Sequence, residues 1–188
     1  GYQPIEGLVA YNQAVQTMLF GKESPLLAEG RVVTAEALGG TGALKVGADY
    51  LKRLLPDANV YISDPSWENH RGIFESAGFL VESYPYYDTA TRGVNFDAMK
   101  AKLLTLPAGS IIVLHACCHN PTGADLTKDQ WVETIEAIRS RGLVPFIDMA
   151  YQGFADGILE DALALHLFAA SGLQFFVSSS FSKSFSLY

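Results

Sequence analysis

Cysteine is scarce: among 188 residues only Cys117 and Cys118 carry a thiol, and they are neighbours. Adjacent cysteines rarely bridge one another and no other pair exists. A disulfide-stapled fold is therefore excluded, and a reducing compartment, the cytoplasm, is expected. Basic residues are also in short supply, 13 Lys and Arg against 20 Asp and Glu, for a net charge of −7. Nothing in that balance attracts a phosphate backbone or an anionic bilayer, so no nucleic-acid and no membrane partner is expected. Long apolar runs are missing; none approaches the roughly 18 residues of a membrane span, and no signal peptide is read at the start. Repeats and low-complexity tracts are absent too. With 49% apolar and 12% aromatic residues, the composition excludes disorder, collagen and coiled coil.

What is present is an alternation of amphipathic and continuously apolar segments. Leu8, Tyr11, Val15 and Met18 recur at helical spacing, so residues around 7–20 read as a helix stopped by Gly21. Leu44, Ala48, Leu51 and Leu55 form a second stripe, ended by Pro56. Trp131, Ile135 and Ile138 form a third, with Thr127 and Gln130 spaced as a capping box at its start. Between them lie strand candidates at Val32–Leu38, Val60–Ser63, Phe79–Tyr84, Ile111–His115, Val144–Asp148 and Phe175–Ser178. Short runs apolar on consecutive positions suit strands buried on both faces. Strands separated by helices imply right-handed crossovers, hence an α/β fold with a mostly parallel sheet flanked by helices.

The unusual polar residues gather just after these strands, at 39–42, 64–70, 115–123, 148–153 and 178–183. In an open parallel sheet the carboxyl ends of the strands share one edge, where ligands bind, so five such clusters predict one site. Each cluster has two readings. Gly39-Gly40-Thr41-Gly42 is a tight turn or a helix start whose N–H groups cradle a phosphate. Asp148 is a cap or ion-pair partner, or the counter-charge to a cationic ring nitrogen. Trp67 and Tyr151 are core, or a flat cover and a phenol turned to a ligand. His115 and His119 flank both cysteines, but the turn sequence Asn120-Pro121-Thr122-Gly123 follows, there is no C-x-x-C, and no second ligand pair exists; no metal is expected. Lys183 is a solvated lysine or, among Phe175, Phe176, Val177, Phe181 and Phe185, an amine lowered in pKa for Schiff-base chemistry.

Taken in order, Gly39–Leu44, Asp64-Pro65-Ser66-Trp67-Glu68-Asn69-His70, the His115–Gly123 stretch, Asp148-Met149-Ala150-Tyr151-Gln152-Gly153-Phe154 and Ser180-Phe181-Ser182-Lys183 resemble the class I aminotransferases of fold type I, specifically the aspartate/aromatic group. The resemblance implies pyridoxal 5′-phosphate held as a Schiff base on Lys183, which later shuttles the α-proton. It implies that Asp148 pairs with the pyridinium nitrogen, that Tyr151 and Asn120 bond the phenolic oxygen, and that Trp67 stacks on the ring. His70 and His115 would support Asp148 and the ring. Gly39, Gly40, Thr41 and Ser180 would contact the phosphate, and Tyr2 would reach the phosphate of a neighbouring subunit in a homodimer.

The activity implied is transfer of an amino group between an aromatic or dicarboxylic amino acid and a 2-oxo acid such as 2-oxoglutarate. Residues 1–188 would be most of the large, cofactor-binding domain, a little under half of an enzyme chain. The N-terminal arm, the small domain, the phosphate and carboxylate arginines and one antiparallel strand would lie elsewhere. That strand would sit between the first and sixth candidates above, leaving their edges unpaired, and 188 residues alone would show little turnover. A fold-type I lyase or decarboxylase, or a non-catalytic fragment with weak cofactor binding, is the alternative.

Overall fold

The computed structural model describes all of residues 1–188. In chain order the elements are α1 (Val9–Phe20), α2 (Pro25–Ala28), α3 (Gly39–Leu54), β1 (Val60–Asp64), α4 (Glu68–Ser76), β2 (Val81–Pro85), β3 (Tyr87–Asp88), β4 (Gly93–Val94), α5 (Phe96–Leu103), β5 (Ile111–His115), α6 (Lys128–Arg141), β6 (Val144–Met149), a 3₁₀ turn (Glu160–Ala162), α7 (Leu163–Ser171) and β7 (Phe176–Ser179). Five strands form one parallel sheet in the order β2-β1-β5-β6-β7, and β3 and β4 make a small antiparallel ribbon. No helix is long and apolar enough to cross a membrane.

The central strands are the continuously apolar ones because they are covered on both faces. Val60, Ile62, Ile111, Val113 and Phe146 pack toward α3 and α4, with Leu44, Ala48, Leu51, Ile73 and Phe74. The alternate residues Tyr61, Ile112, Leu114, Ile147 and Met149 face a larger core with α1, α5, α6 and α7. Period-2 alternation thus assigns each strand residue to one of two layers. His115 and Asp148 share the parity of the α3/α4 face, and their strands pair in register with His115 opposite Asp148 and Asp148 opposite Ser178.

α6 starts on the expected capping box: Thr127 Oγ1 accepts from the Gln130 N–H, and Gln130 Oε1 accepts from the Thr127 N–H. Gly142 ends it in the left-handed conformation. Trp131, Ile135 and Ile138 are all buried, as their spacing predicts.

Two expectations require correction. Val32–Leu38 is not a strand: it runs outside helix and sheet, with Val33 and Leu38 exposed. A strand needs a row of backbone partners; here the Glu36 N–H has one, the Glu6 carbonyl, and the Val32 and Thr34 carbonyls take side chains instead. Gln16 Nε2 donates to the Val32 carbonyl and Thr34 Oγ1, and Asn12 Nδ2 donates to the Thr34 carbonyl. β7 pairs with β6 alone, so the edge facing this segment is open, as the resemblance implies. The second correction concerns α1, whose buried face is Asn12, Val15 and Leu19, while Leu8 and Tyr11 are exposed. Asn12 displaces the expected apolar position because its amide also donates to the Glu6 carbonyl.

Candidate active site

The parallel sheet brings the ends of β1, β5, β6 and β7 to one edge, next to the N-terminus of α3. The sheet order reverses between β1 and β5, the topological position at which open α/β sheets bind ligands. A cleft of about 1000 Å³ opens there. Gly39, Gly40, Thr41, Trp67, His115, Asn120, Asp148, Tyr151, Ser180 and Lys183 all line it. Ten of the twelve residues singled out from sequence are therefore brought together, His70 lies directly behind them, and Tyr2 does not reach the cleft. Tyr2 is fully exposed near the chain's start.

α3 begins at Gly39 with Leu38 as its N-cap, a residue that cannot accept a hydrogen bond through its side chain. The first intrahelical bond near this end runs from the Gly42 N–H to the Leu38 carbonyl. The N–H groups ahead of it are thus free to meet an anion, reinforced by the helix dipole. Small residues let β7 approach this end: a Cβ at Gly40 would lie 3.1 Å from Ser180 Cβ, and one at Gly39 would lie 3.5 Å from Ser182 Oγ. Ser178 Oγ donates to the Gly40 carbonyl, and Ser180 and Ser182 bond each other at 3.2 Å, so hydroxyls line the same end.

Asp148 is buried at the end of β6, and its Oδ2 meets His70 Nε2 at 2.7 Å. Ser66 Oγ contacts the other His70 nitrogen at 2.9 Å, which fixes the ring from both sides. Oδ1 is the oxygen left for a ligand. Trp67 stands edge-on to His70, with centroids 5.3 Å apart, at the mouth of the cleft. Lys183 is exposed, and its Nζ lies 5.9 Å from the Tyr151 ring centre.

His115 packs between His70 and His119, with ring centroids at 4.9 and 4.3 Å. Both its ring nitrogens are buried without a partner. Burial, then the neighbouring His70 and His119, push its pKa well below the ordinary histidine value, so a neutral imidazole forms the cleft wall. His119, for which the sequence favours packing or hydrogen bonding over metal ligation, is buried on Tyr86 with ring centres 4.0 Å apart. Its nitrogens contact Ser63 Oγ at 2.8 Å and Thr122 Oγ1 at 2.7 Å, and burial, aided by His70, lowers its pKa to about 4. The Cys117 and Cys118 thiols are pushed up, chiefly by burial, which favours the protonated thiol over the thiolate.

The donor set has a definite chemistry. An anion fits the α3 terminus, a cationic ring nitrogen fits Asp148, a planar ring fits beside Trp67, and a carbonyl carbon fits the Lys183 amine. The free N–H groups at the α3 start, the cradle that a Cβ at Gly40 would narrow and the uncommitted Asp148 Oδ1 are what a bound phosphorylated pyridine aldehyde would complete, so the residues fit such a group.

The family model for aminotransferase class I and II matches residues 1–188, and the chain belongs to that enzyme family. Among curated relatives, an aspartate aminotransferase of Pseudomonas aeruginosa is 66% identical over 188 residues, all of this chain and 47% of the relative. An aromatic-amino-acid aminotransferase of Escherichia coli is 57% identical over 187 residues, again 47% of its length. A crystal structure of an aromatic-amino-acid aminotransferase from Burkholderia pseudomallei, covalently bound to pyridoxal phosphate, matches with a TM-score of 0.99 at 63% identity. The match covers all of this chain and 47% of that one. The chain spans about half the length of the curated relatives it matches.

Proposed function

We propose that this chain is most of the cofactor-binding large domain of a pyridoxal 5′-phosphate aminotransferase that acts on aromatic or dicarboxylic amino acids and 2-oxo acids such as 2-oxoglutarate. The observation that carries this reading is the convergence of Lys183, Asp148, Tyr151, Asn120 and the α3 terminus on one cleft. Relatives named for aspartate and for aromatic amino acids support both substrate classes. A lyase or decarboxylase is not favoured, since the relatives named above are all aminotransferases.

The cofactor, when bound, supplies an aldehyde that condenses with amines and a cationic ring that draws electrons from the α-carbon. Gly39, Gly40, Thr41 and Ser180 would hold its phosphate, Trp67 would cover its ring, and Asn120 and Tyr151 would hydrogen-bond its phenolic oxygen. Asp148, kept oriented by His70, holds positive charge at the ring nitrogen. The Lys183 amine would hold the aldehyde, and it is the group placed to move the α-proton, first as a general base and then as a general acid. Neutral His115 adds no competing positive charge next to Asp148.

The proposed assembly is a cytoplasmic homodimer in which Tyr2 reaches the partner's phosphate. Its exposure, with Ile5, Leu8 and Val9 exposed beside it, supports an interface at this end, and free thiols suit a reducing compartment. The test is an assay of the full-length protein with aspartate or phenylalanine and 2-oxoglutarate. Stoichiometric formation of glutamate is expected. Release of ammonia or carbon dioxide without glutamate would overturn the proposal.

A further inference from the structure

The turn that carries Tyr151 lies outside helix and strand, between β6 and the 3₁₀ turn at Glu160–Ala162, and contains Gly153 and Gly157. Such a segment is expected to be loose. It is instead gathered around one carboxylate. Asp161 Oδ2 accepts from the N–H groups of Gly153 and Ala155 at 2.8 and 3.0 Å, and Oδ1 accepts from those of Asp156 and Gly157 at 2.9 and 3.4 Å. The Asp161 N–H returns a bond to the Gly157 carbonyl at 2.9 Å.

Asp161 is 5% exposed, a buried position for an acid in a connecting segment. Burial alone would raise its carboxyl. The amides, those of Asp156 and Ala155 foremost, outweigh burial and hold it below the ordinary aspartate value, so it is ionised at neutral pH. On the other side of the turn, buried Gln152 donates from Nε2 to the carbonyls of Met18 and Ile158 at 3.1 and 2.8 Å. The Tyr151 carbonyl takes the Phe154 N–H at 3.1 Å, and the Phe154 ring stands edge-on to the phenol ring.

We propose that Asp161 is a positioning residue for Tyr151: its carboxylate gathers the amides of residues 153–157 and so fixes the turn that holds the phenol beside Lys183. This rests on the function proposed above only in taking Tyr151 and Lys183 as working groups. Asparagine at 161 keeps the shape but has one acceptor oxygen, and its amide nitrogen faces two of the four donors. A part-satisfied buried network loosens where it is broken.

The experiment uses the full-length protein and two readouts. In the cofactor-free form, amide exchange at 153–157 is expected to rise about tenfold or more in Asp161→Asn, the consequence of losing roughly one buried hydrogen bond's stabilisation. In the cofactor-loaded form, the absorbance band of the lysine-linked chromophore is expected to titrate about one pH unit higher, in the same direction as in Tyr151→Phe. The double variant is expected to titrate like Tyr151→Phe alone, because both changes remove one interaction.

Unchanged exchange at 153–157 overturns the proposal. So does a band that titrates as in the wild type while exchange rises, or two shifts that add. If Asp161→Asn does not fold, Asp161→Glu carries the same test: it keeps the charge one methylene further out, a smaller upward shift is expected, and wild-type titration overturns the proposal. A wild-type protein that forms no lysine-linked band contradicts the proposed function, and the exchange readout then decides the role of Asp161 in the turn by itself.

Discussion

Asp148 and His70 are 78 positions apart in the chain and 2.7 Å apart in the fold. The contact ties β6 to α4 and occupies one oxygen of a buried carboxylate. Replacing His70 with Phe would leave Oδ2 buried without a donor. The expected cost is about 1–3 kcal/mol, the desolvation penalty of one unsatisfied group. Urea unfolding of the full-length protein measures it, and His70→Asn, which restores a donor, should recover part of the loss.

Gly47 lies in α3 where the helix crosses Phe146 of β6. A Cβ there would meet Phe146 Cζ at 2.5 Å, and Phe146 is itself buried. Gly47→Ala should therefore destabilise by about 1–3 kcal/mol despite the better helix propensity of alanine. A Phe146→Leu change in the same protein should make the alanine nearly neutral, and a thermodynamic cycle on unfolding midpoints reads the coupling.

Acid should weaken the fold in two stages. His119 titrates near 4 when folded and near 6.5 when unfolded, so between those values only the unfolded state binds the proton. Stability is therefore complete above about pH 6.5 and falls as pH drops toward 4, by about 3 kcal/mol for this group. His115, also lowered well below the ordinary histidine value by burial, adds a loss of the same sign. Asp161 has the carboxylate sign: its contribution is present above the unfolded value of 3.8 and is lost as pH falls through its lower folded value. Unfolding of the full-length protein between pH 7 and pH 4 should show the first stage, and His119→Gln should flatten it.

The cradle at α3 predicts a steric effect on anion binding. With Ser180 Cβ at 3.1 Å from a Cβ at position 40, Gly40→Val would push β7 away or close the space the phosphate needs. Binding of pyridoxal phosphate to the full-length protein, followed by equilibrium dialysis, should weaken about tenfold, equivalent to about 1.4 kcal/mol. Unaltered binding would place the phosphate elsewhere.

The sequence made β1, β5 and β6 legible because strands covered on both faces are apolar on consecutive positions until they reach the polar edge. It made the site's location legible because a parallel sheet sends all its carboxyl ends to one edge. Val32–Leu38 has the composition of a strand, yet pairing depends on a neighbour that composition does not specify, and side chains of α1 bind its backbone instead. The inward face of α1 was hidden for a related reason: Asn12 is buried for its hydrogen bonds, not its hydrophobicity. His119 and Asp161 were obscure as well, since their roles rest on partners such as Ser63 and the 153–157 amides that only the folded backbone brings near.

The central claim is that Lys183 is the residue that holds the cofactor. Borohydride reduction of the full-length protein with pyridoxal phosphate, followed by peptide mapping, tests it most directly. The label is expected on Lys183 and should disappear in Lys183→Ala. A label on another lysine, or one undiminished in Lys183→Ala, would contradict the account.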